Sequence, residues 1–129
     1  MEINALLKSK NYKVTPARIS ILELFYKNKK PLSADCISKK VLEINKATIF
    51  RNLSSFEKSG IIKRVDLRKE SIHFELNNDH HHHLICSNCG KIKSFYDSGI
   101  EKALKKFIKK SNFKVSDHSL EFFGHCHKC

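Results

Sequence analysis

No apolar run in this 129-residue chain is long enough to cross a bilayer, which argues against a helical membrane protein. The opening Met1-Glu2-Ile3-Asn4 lacks the basic start and apolar stretch of a secretory leader, so a cytoplasmic protein is expected. Acidic residues are scarce: 13 Asp and Glu stand against 25 Lys and Arg, for a formal charge of +12 and a pI near 9.6. That imbalance points to a polyanionic partner, nucleic acid first. Neither a Ser-His-Asp pattern nor a P-loop is present. His73-Phe74-Glu75 has the look of a zinc deaminase fragment, but that signature needs Pro-Cys-x-x-Cys well downstream, and Cys86 follows Ile85 after a short interval. The expectation is a protein that is not an enzyme. With only four Gly and two Pro, and no repeat or low-complexity tract beyond a histidine run, the chain suits one compact unit or two small lobes.

What the chain does have is concentrated in metal-ligating side chains. His80-His81-His82-His83 runs into Cys86-x-x-Cys89-Gly90, and the chain closes with His125-Cys126-x-x-Cys129. A cytosolic chain keeps thiols reduced, so paired Cys-x-x-Cys favours metal over disulfides. Four thiolates with no open position describe a structural zinc site; an iron–sulfur cluster or a thiol switch are the alternatives. If the histidine run is extended, His80 and His82 face one way and His81 and His83 the other. Glu101, at the start of an expected helix, and His118, on an expected strand, can complete a nitrogen–oxygen site. Such ligation suits zinc, iron, manganese or nickel. A solvated histidine run is the alternative. Cys36 stands alone and is expected to be a small buried residue.

The first sixty residues read as helices. Thr15-Pro16 is a helix start, followed by Ile19, Leu22, Phe25 and Tyr26 at helical spacing. Ser33 opens a second helix with Ala34, Ile37 and Val41 inward. Asn45 caps a third over about 47–58, with Ile49, Leu53 and Phe56 on one side and Thr48, Arg51, Asn52 and Ser55 on the other. Gly60 stops it. Strands are expected at 61–66 and 71–76, joined by a charged turn at 67–70. Helices followed by a two-stranded hairpin make a winged helix-turn-helix, with the 48/51/52/55 face suited to reading DNA. Beyond a hinge at 77–79, strands are expected at 80–86 and 91–95. A basic amphipathic helix over 98–110 should bury Ile100, Leu104, Phe107 and Ile108, and its lysines should form a solvated face. A final strand is expected over 113–123. The fold class is therefore α+β: a winged-helix domain over 1–76, and a small α/β domain with structural zinc over 80–129.

Several segments together resemble the ferric uptake regulator family of bacterial metalloregulators. They are Lys13-Val-Thr-Pro-Ala-Arg18, Ala47-Thr-Ile-Phe-Arg51-Asn-Leu, Phe74-Glu-Leu, His81-His-His-Leu-Ile-Cys-x-x-Cys-Gly-Lys91 and His118-Ser-Leu followed by Phe123-Gly-His-Cys-x-x-Cys129. The resemblance implies a homodimeric repressor that binds a double-stranded DNA operator, controls metal-homeostasis genes and has no membrane partner. Residues 80–129 would be its dimerisation domain. It implies Cys86, Cys89, Cys126 and Cys129 as structural zinc ligands, and His80, His82, Glu101 and His118 as a site within the dimerisation domain. His82 stands where Asp is common, as in zinc-sensing members. Glu75, His81 and His83 match a hinge-side regulatory site. Pro31 and Ser94 replace a His and a Glu of that pattern, so the hinge site is expected to be zinc-like and four-coordinate or weaker. The regulatory ion is expected to be Zn²⁺ or Fe²⁺, with Mn²⁺ as a substitute. For DNA the resemblance implies Thr48, Phe50 and Arg51 on the recognition helix, beside Asn52 of the same polar face. Lys13 would enter the minor groove and Arg18 would hold phosphate. The competing functions are a zinc storage or delivery protein, and a constitutive DNA-binding protein with structural zinc only.

Overall fold

Helix starts in this chain are fixed by side chains that accept a backbone N–H. The computed structural model, which describes residues 2–28, 30–78 and 80–129, divides into two compact units, Met1–Asp79 and His80–Cys129. In the first unit α1 spans Ile3–Ser9, and α2 (Pro16–Lys27) begins where Thr15 Oγ1 accepts from the Arg18 amide at 3.3 Å. Strand β1 (Leu32–Ser33) leads into α3 (Ala34–Lys40), capped by Ser33, and α4 (Lys46–Ser59) is capped by Asn45 Oδ1 on the Thr48 amide at 2.9 Å. Gly60 ends α4 at φ +83°, a left-handed conformation that costs glycine nothing. Strands β2 (Ile62–Val65) and β3 (His73–Leu76) pair antiparallel, and β1 adds to β3, giving the order β1-β3-β2. This is the winged helix-turn-helix: α3 and α4 are the helix pair, and β2–β3 is the wing.

The first unit carries the apolar core. Leu7, Ile21, Leu22, Ile37, Ile49 and Phe56 are wholly inaccessible to solvent and belong to one cluster. Leu7 comes from α1, which the sequence reading did not single out. It has no side-chain cap, and its seven residues are too few to declare a period by themselves. Cys36 is exposed, contrary to expectation. Ala34, Ile37 and Val41 take the inward face, and two residues after Ala34 the helix has turned roughly 200°, so Cys36 points outward. The Ser33 hydroxyl beside it holds its thiol below the ordinary value. Of the expected hinge, Asn77 is bonded into the first unit: its amide donates to Ile61 O at 3.0 Å and its Nδ2 to Gly60 O at 3.2 Å. Asp79 lies outside the described residues.

In the second unit β4 (His82–Cys86) is the central strand, antiparallel to β5 (Ile92–Phe95) and parallel to β6 (Glu121–Gly124). Between them α5 (Ser98–Ser111) starts at Asp97, whose Oδ1 accepts from the Ile100 amide. The expected final strand over 113–123 is largely absent: residues 113–120 are irregular, and His118 lies among them. Strand β4 is only five residues long, and its partners in β6 begin at Glu121, so beyond the Leu120 carbonyl, which accepts from His83 N–H, the preceding residues have no strand to pair with. Nor is the apolar side of α5 buried within the chain. Phe107 is 69% exposed, Ile100, Leu104 and Ile108 are half-buried, and Glu101 is the helix's buried residue. Among the described residues no helix is long and apolar enough to cross a membrane.

Candidate metal centres and nucleic-acid interface

The buried residues of the second unit are Ile85, Cys86, His82, His83 and Glu101, so its interior is mostly ligand-type side chains. A lobe with so little apolar burial needs another source of order, and metal coordination is one that its donors supply.

Cys86 ends β4 and opens a tight turn: Gly90 N–H donates back to Cys86 O at 2.9 Å, and Gly90 itself takes φ +78°. The C-terminal pair closes a similar turn, with Cys129 N–H on Cys126 O at 3.0 Å. Sulfur–sulfur distances are 3.7 Å for Cys86–Cys129, 3.7 Å for Cys89–Cys126 and 3.4 Å for Cys126–Cys129. A tetrahedron with Zn–S bonds of about 2.3 Å separates its sulfurs by about 3.8 Å, so the four thiols stand close to the spacing of a zinc cage. Backbone N–H groups of Cys89 and Cys126, each 3.4 Å from Cys86 Sγ, pull that thiol down to about 5. At Cys129 the contact with Asn88 lowers the value, but the hydrogen bonds shared with Cys126, Cys86 and Cys89 outweigh it and push the thiol up to about 12. Cys86 thus loses its proton readily, whereas Cys129 keeps its own until a cation is there to balance the charge. The donor set fits zinc.

The second cluster gathers on Glu101 at the start of α5. His80 Nε2 contacts Glu101 Oε1, His82 Nε2 lies 3.2 Å from Oε2, and His118 Nε2 lies 3.3 Å from Oε1. His80 and His118 bring their Nε2 atoms to 3.1 Å of each other. Two nitrogens on one tetrahedral ion with M–N bonds of about 2.0–2.1 Å stand roughly 3.3 Å apart, so this spacing also fits a metal. Burial pushes the Glu101 carboxyl up, but the His82 hydrogen bond and the His80 and His118 charges pull it lower still, to a net value below the usual carboxylate range. His118 reaches this cluster from the irregular segment rather than from a strand. Its backbone is held locally by Asp117 Oδ1, which accepts from the His118 amide at 2.8 Å.

The histidine run divides by face. His80 and His82 turn to Glu101, their rings 4.7 Å apart, while His81 and His83 are stacked edge-on at 4.9 Å. Glu75 belongs to the first unit, buried in β3 with Lys63 Nζ 3.7 Å from its Oε1.

On the helix-turn-helix, Phe50 is 52% exposed and Arg51 is exposed beside it, with an Arg51 Nη2 to Thr48 Oγ1 hydrogen bond of 3.2 Å along α4. Lys13 is exposed ahead of α2. Asn52 and Arg18 are engaged with each other: Arg18 Nε donates to Asn52 Oδ1 at 3.0 Å. In sequence the two residues read as separate DNA contacts, with nothing to signal this bond. They stand thirty-four apart, and no periodic signal joins them.

Residues 9–123 match the ferric uptake regulator family. The ferric uptake regulation protein of Legionella pneumophila is 34% identical over 135 aligned residues, covering 100% of this chain and 99% of its own. Among solved structures, the ferric uptake regulator from Francisella tularensis with iron is 40% identical, with a TM-score of 0.78 over 92% of this chain and 94% of that one. The Helicobacter pylori regulator, whose structure reveals three functional metal binding sites, is 26% identical with a TM-score of 0.82, over 98% of this chain and 87% of its own. These relatives are transcription regulators rather than enzymes. Their likeness runs through both the winged helix and the ligand-lined second unit, and it places this chain in the ferric uptake regulator family of metal-responsive DNA-binding transcription regulators.

Proposed function

We propose that this chain is a homodimeric, metal-dependent repressor of metal-homeostasis genes in the cytoplasm. The observation that carries the reading is the union, in one chain, of an exposed recognition surface on α4 with two preformed donor clusters of different chemistry. Four thiols suit a permanent zinc staple. Three imidazoles and a carboxylate suit an ion that exchanges, because such ligation holds metal less tightly than a thiolate cage. Glu75, His81 and His83 are assigned as the hinge-side regulatory ligands on the strength of the family resemblance. The edge-on pairing of His81 with His83 supports this, since it leaves both on the opposite face from the Glu101 cluster. Zn²⁺ or Fe²⁺ is the regulatory ion, with Mn²⁺ as a substitute; His82 in place of the common Asp favours the zinc-sensing branch.

On DNA, Thr48, Phe50 and Arg51 read bases in the major groove, and Lys13 enters the minor groove. Phe50 keeps apolar packing against a thymine methyl without offering a hydroxyl. The test combines metal content with fluorescence titration of a duplex selected on the parent protein, under Zn²⁺, Fe²⁺ and Mn²⁺. Metal should tighten binding to that duplex, and His81→Ala should remove most of the gain while leaving the metal-free baseline unchanged. Arg51→Ala should weaken binding by about 1–3 kcal/mol, the worth of a bidentate base contact. Equal affinity with and without every metal would refute the regulator reading and leave a constitutive DNA-binding protein in its place, whereas failure to select any duplex would leave metal storage.

A further inference from the structure

We infer that Arg18 is a positioning residue for DNA recognition, whose guanidinium brackets the Lys13 segment to the recognition helix. The inference rests on the regulator reading above and assigns Arg18 a different task from holding phosphate. Its Nε donates to Asn52 Oδ1 on α4 at 3.0 Å, and its Nη1 donates to Lys13 O at 2.9 Å. Its guanidinium carbon lies 5.0 Å from the centre of the Tyr12 ring. Tyr12 is itself tied to α4: its hydroxyl is 2.7 Å from Ser55 Oγ and donates to Ser59 Oγ at 3.1 Å, and its ring meets Phe56 edge-on at 5.3 Å. Asn52 Nδ2 donates to Thr48 O at 3.0 Å, which turns the amide oxygen towards Arg18. Both ends of that amide are therefore anchored within the protein, which fixes Asn52 as the acceptor for Arg18.

The bracket matters because Lys13 and α4 address different grooves of one duplex. Two contacts on one body strengthen each other only if their geometry lets both engage at once. A guanidinium can bond two acceptors in its plane while stacking on an aromatic ring, whereas a lysine ammonium is a single point charge. A point charge alone thus does not replace what Arg18 supplies.

Arg18→Lys and Arg18→Ala separate the two roles. Each is titrated, loaded with Zn²⁺, against a duplex selected on the parent from a random pool and against a scrambled duplex, over a series of salt concentrations. Both variants should lose about tenfold on the selected duplex, the worth of a charge-assisted hydrogen bond. For Arg18→Lys, scrambled binding and the salt slope should stay as in the parent. If Arg18→Lys binds like the parent while Arg18→Ala lowers the slope by about one unit on both duplexes, Arg18 is a phosphate contact and the inference is wrong. Parent affinity in both variants would equally overturn it. Amide exchange in the free protein provides a readout without DNA: in Arg18→Lys, residues 12–15 and 47–52 should exchange several-fold faster. Unchanged exchange would exclude the bracket whatever the duplex data show. A parent protein that selects no duplex would instead overturn the regulator reading, and the exchange data would still decide whether the bracket exists.

Discussion

Glu101 shows how one side chain can tie a small lobe together. It is the buried residue of an otherwise lysine-rich helix, and its carboxylate faces the nitrogens of His80, His82 and His118. Glu101→Gln keeps the shape and removes the charge. It should weaken metal binding at this cluster by at least roughly tenfold, since even outer-shell partners of metal ligands are worth about 10–100-fold. Competition against a chromophoric chelator, with the thiolate site already filled, measures this; an unchanged affinity would remove Glu101 from the ligand set. The same substitution gives a pH signature when the imidazole cluster holds no ion. The Glu101 carboxyl lies below its ordinary value in the folded state. Its contribution to stability is therefore fully present above the unfolded carboxylate pKa and is lost as pH falls through the lower, folded value. Parent and Glu101→Gln should differ in melting temperature at mildly acidic pH and converge in strong acid. A gap that widened on acidification would reverse the sign.

At the scale of elements, β6 is joined to the Glu101 cluster through Leu120. The Leu120 amide donates to His82 Nδ1 at 3.2 Å, while Leu120 O accepts from His83 N–H at 3.1 Å. An accepting Nδ1 leaves the imidazole proton on Nε2, facing Glu101. If His82 held a metal through Nε2, its proton would have to sit on Nδ1, facing the Leu120 N–H, and that contact would become repulsive. Metal entry should thus shift the Leu120 amide resonance and speed its exchange, more than at Phe122 or Phe123 deeper in the strand. An unmoved Leu120 resonance in a Zn²⁺ titration would mean that His82 does not bind metal through Nε2. The sequence could not disclose this coupling, because it depends on where the irregular segment 113–120 gives way to β6, and that is set by the short length of β4. Helix starts were legible because Thr15, Ser33 and Asn45 carry their caps locally. The opposite holds for β1: its two residues become a strand only because β3, forty positions on, offers free edge groups. The Cys-x-x-Cys pairs and the alternation of residues 80–83 were legible as spacing. The path by which His118 reaches Glu101 was not, since a side chain on an irregular segment leaves no periodic trace.

For the whole molecule, the two units differ in what holds them. The first has a continuous apolar core, whereas the second buries mainly ligand side chains. Chelation of zinc, or Cys129→Ser, should therefore loosen residues 80–129 while helices α2 to α4 keep their protection from amide exchange. Elemental analysis with site-resolved exchange checks this, and full zinc retention in Cys129→Ser would withdraw the structural assignment. The second unit also leaves apolar surface uncovered: Phe107 is 69% exposed on α5, with Leu84 at 42% and Phe122 at 47% on the sheet. Exposed apolar area of this kind marks an association surface. In the proposed homodimer the lysines of α5 would repel a second copy, so the Phe107 side is the face expected to meet its partner. Phe107→Glu places a carboxylate one turn from Lys110 on an already exposed position, which a single chain tolerates. It should leave helix content unchanged, convert the dimer to a monomer by light scattering, and reduce metal-dependent affinity for the selected duplex. Phe107→Leu keeps the apolar face and should remain dimeric. A dimer retained in both Phe107→Glu and Phe107→Lys would move the interface away from α5, because the lysines of that helix could pair with an added carboxylate but not with an added ammonium.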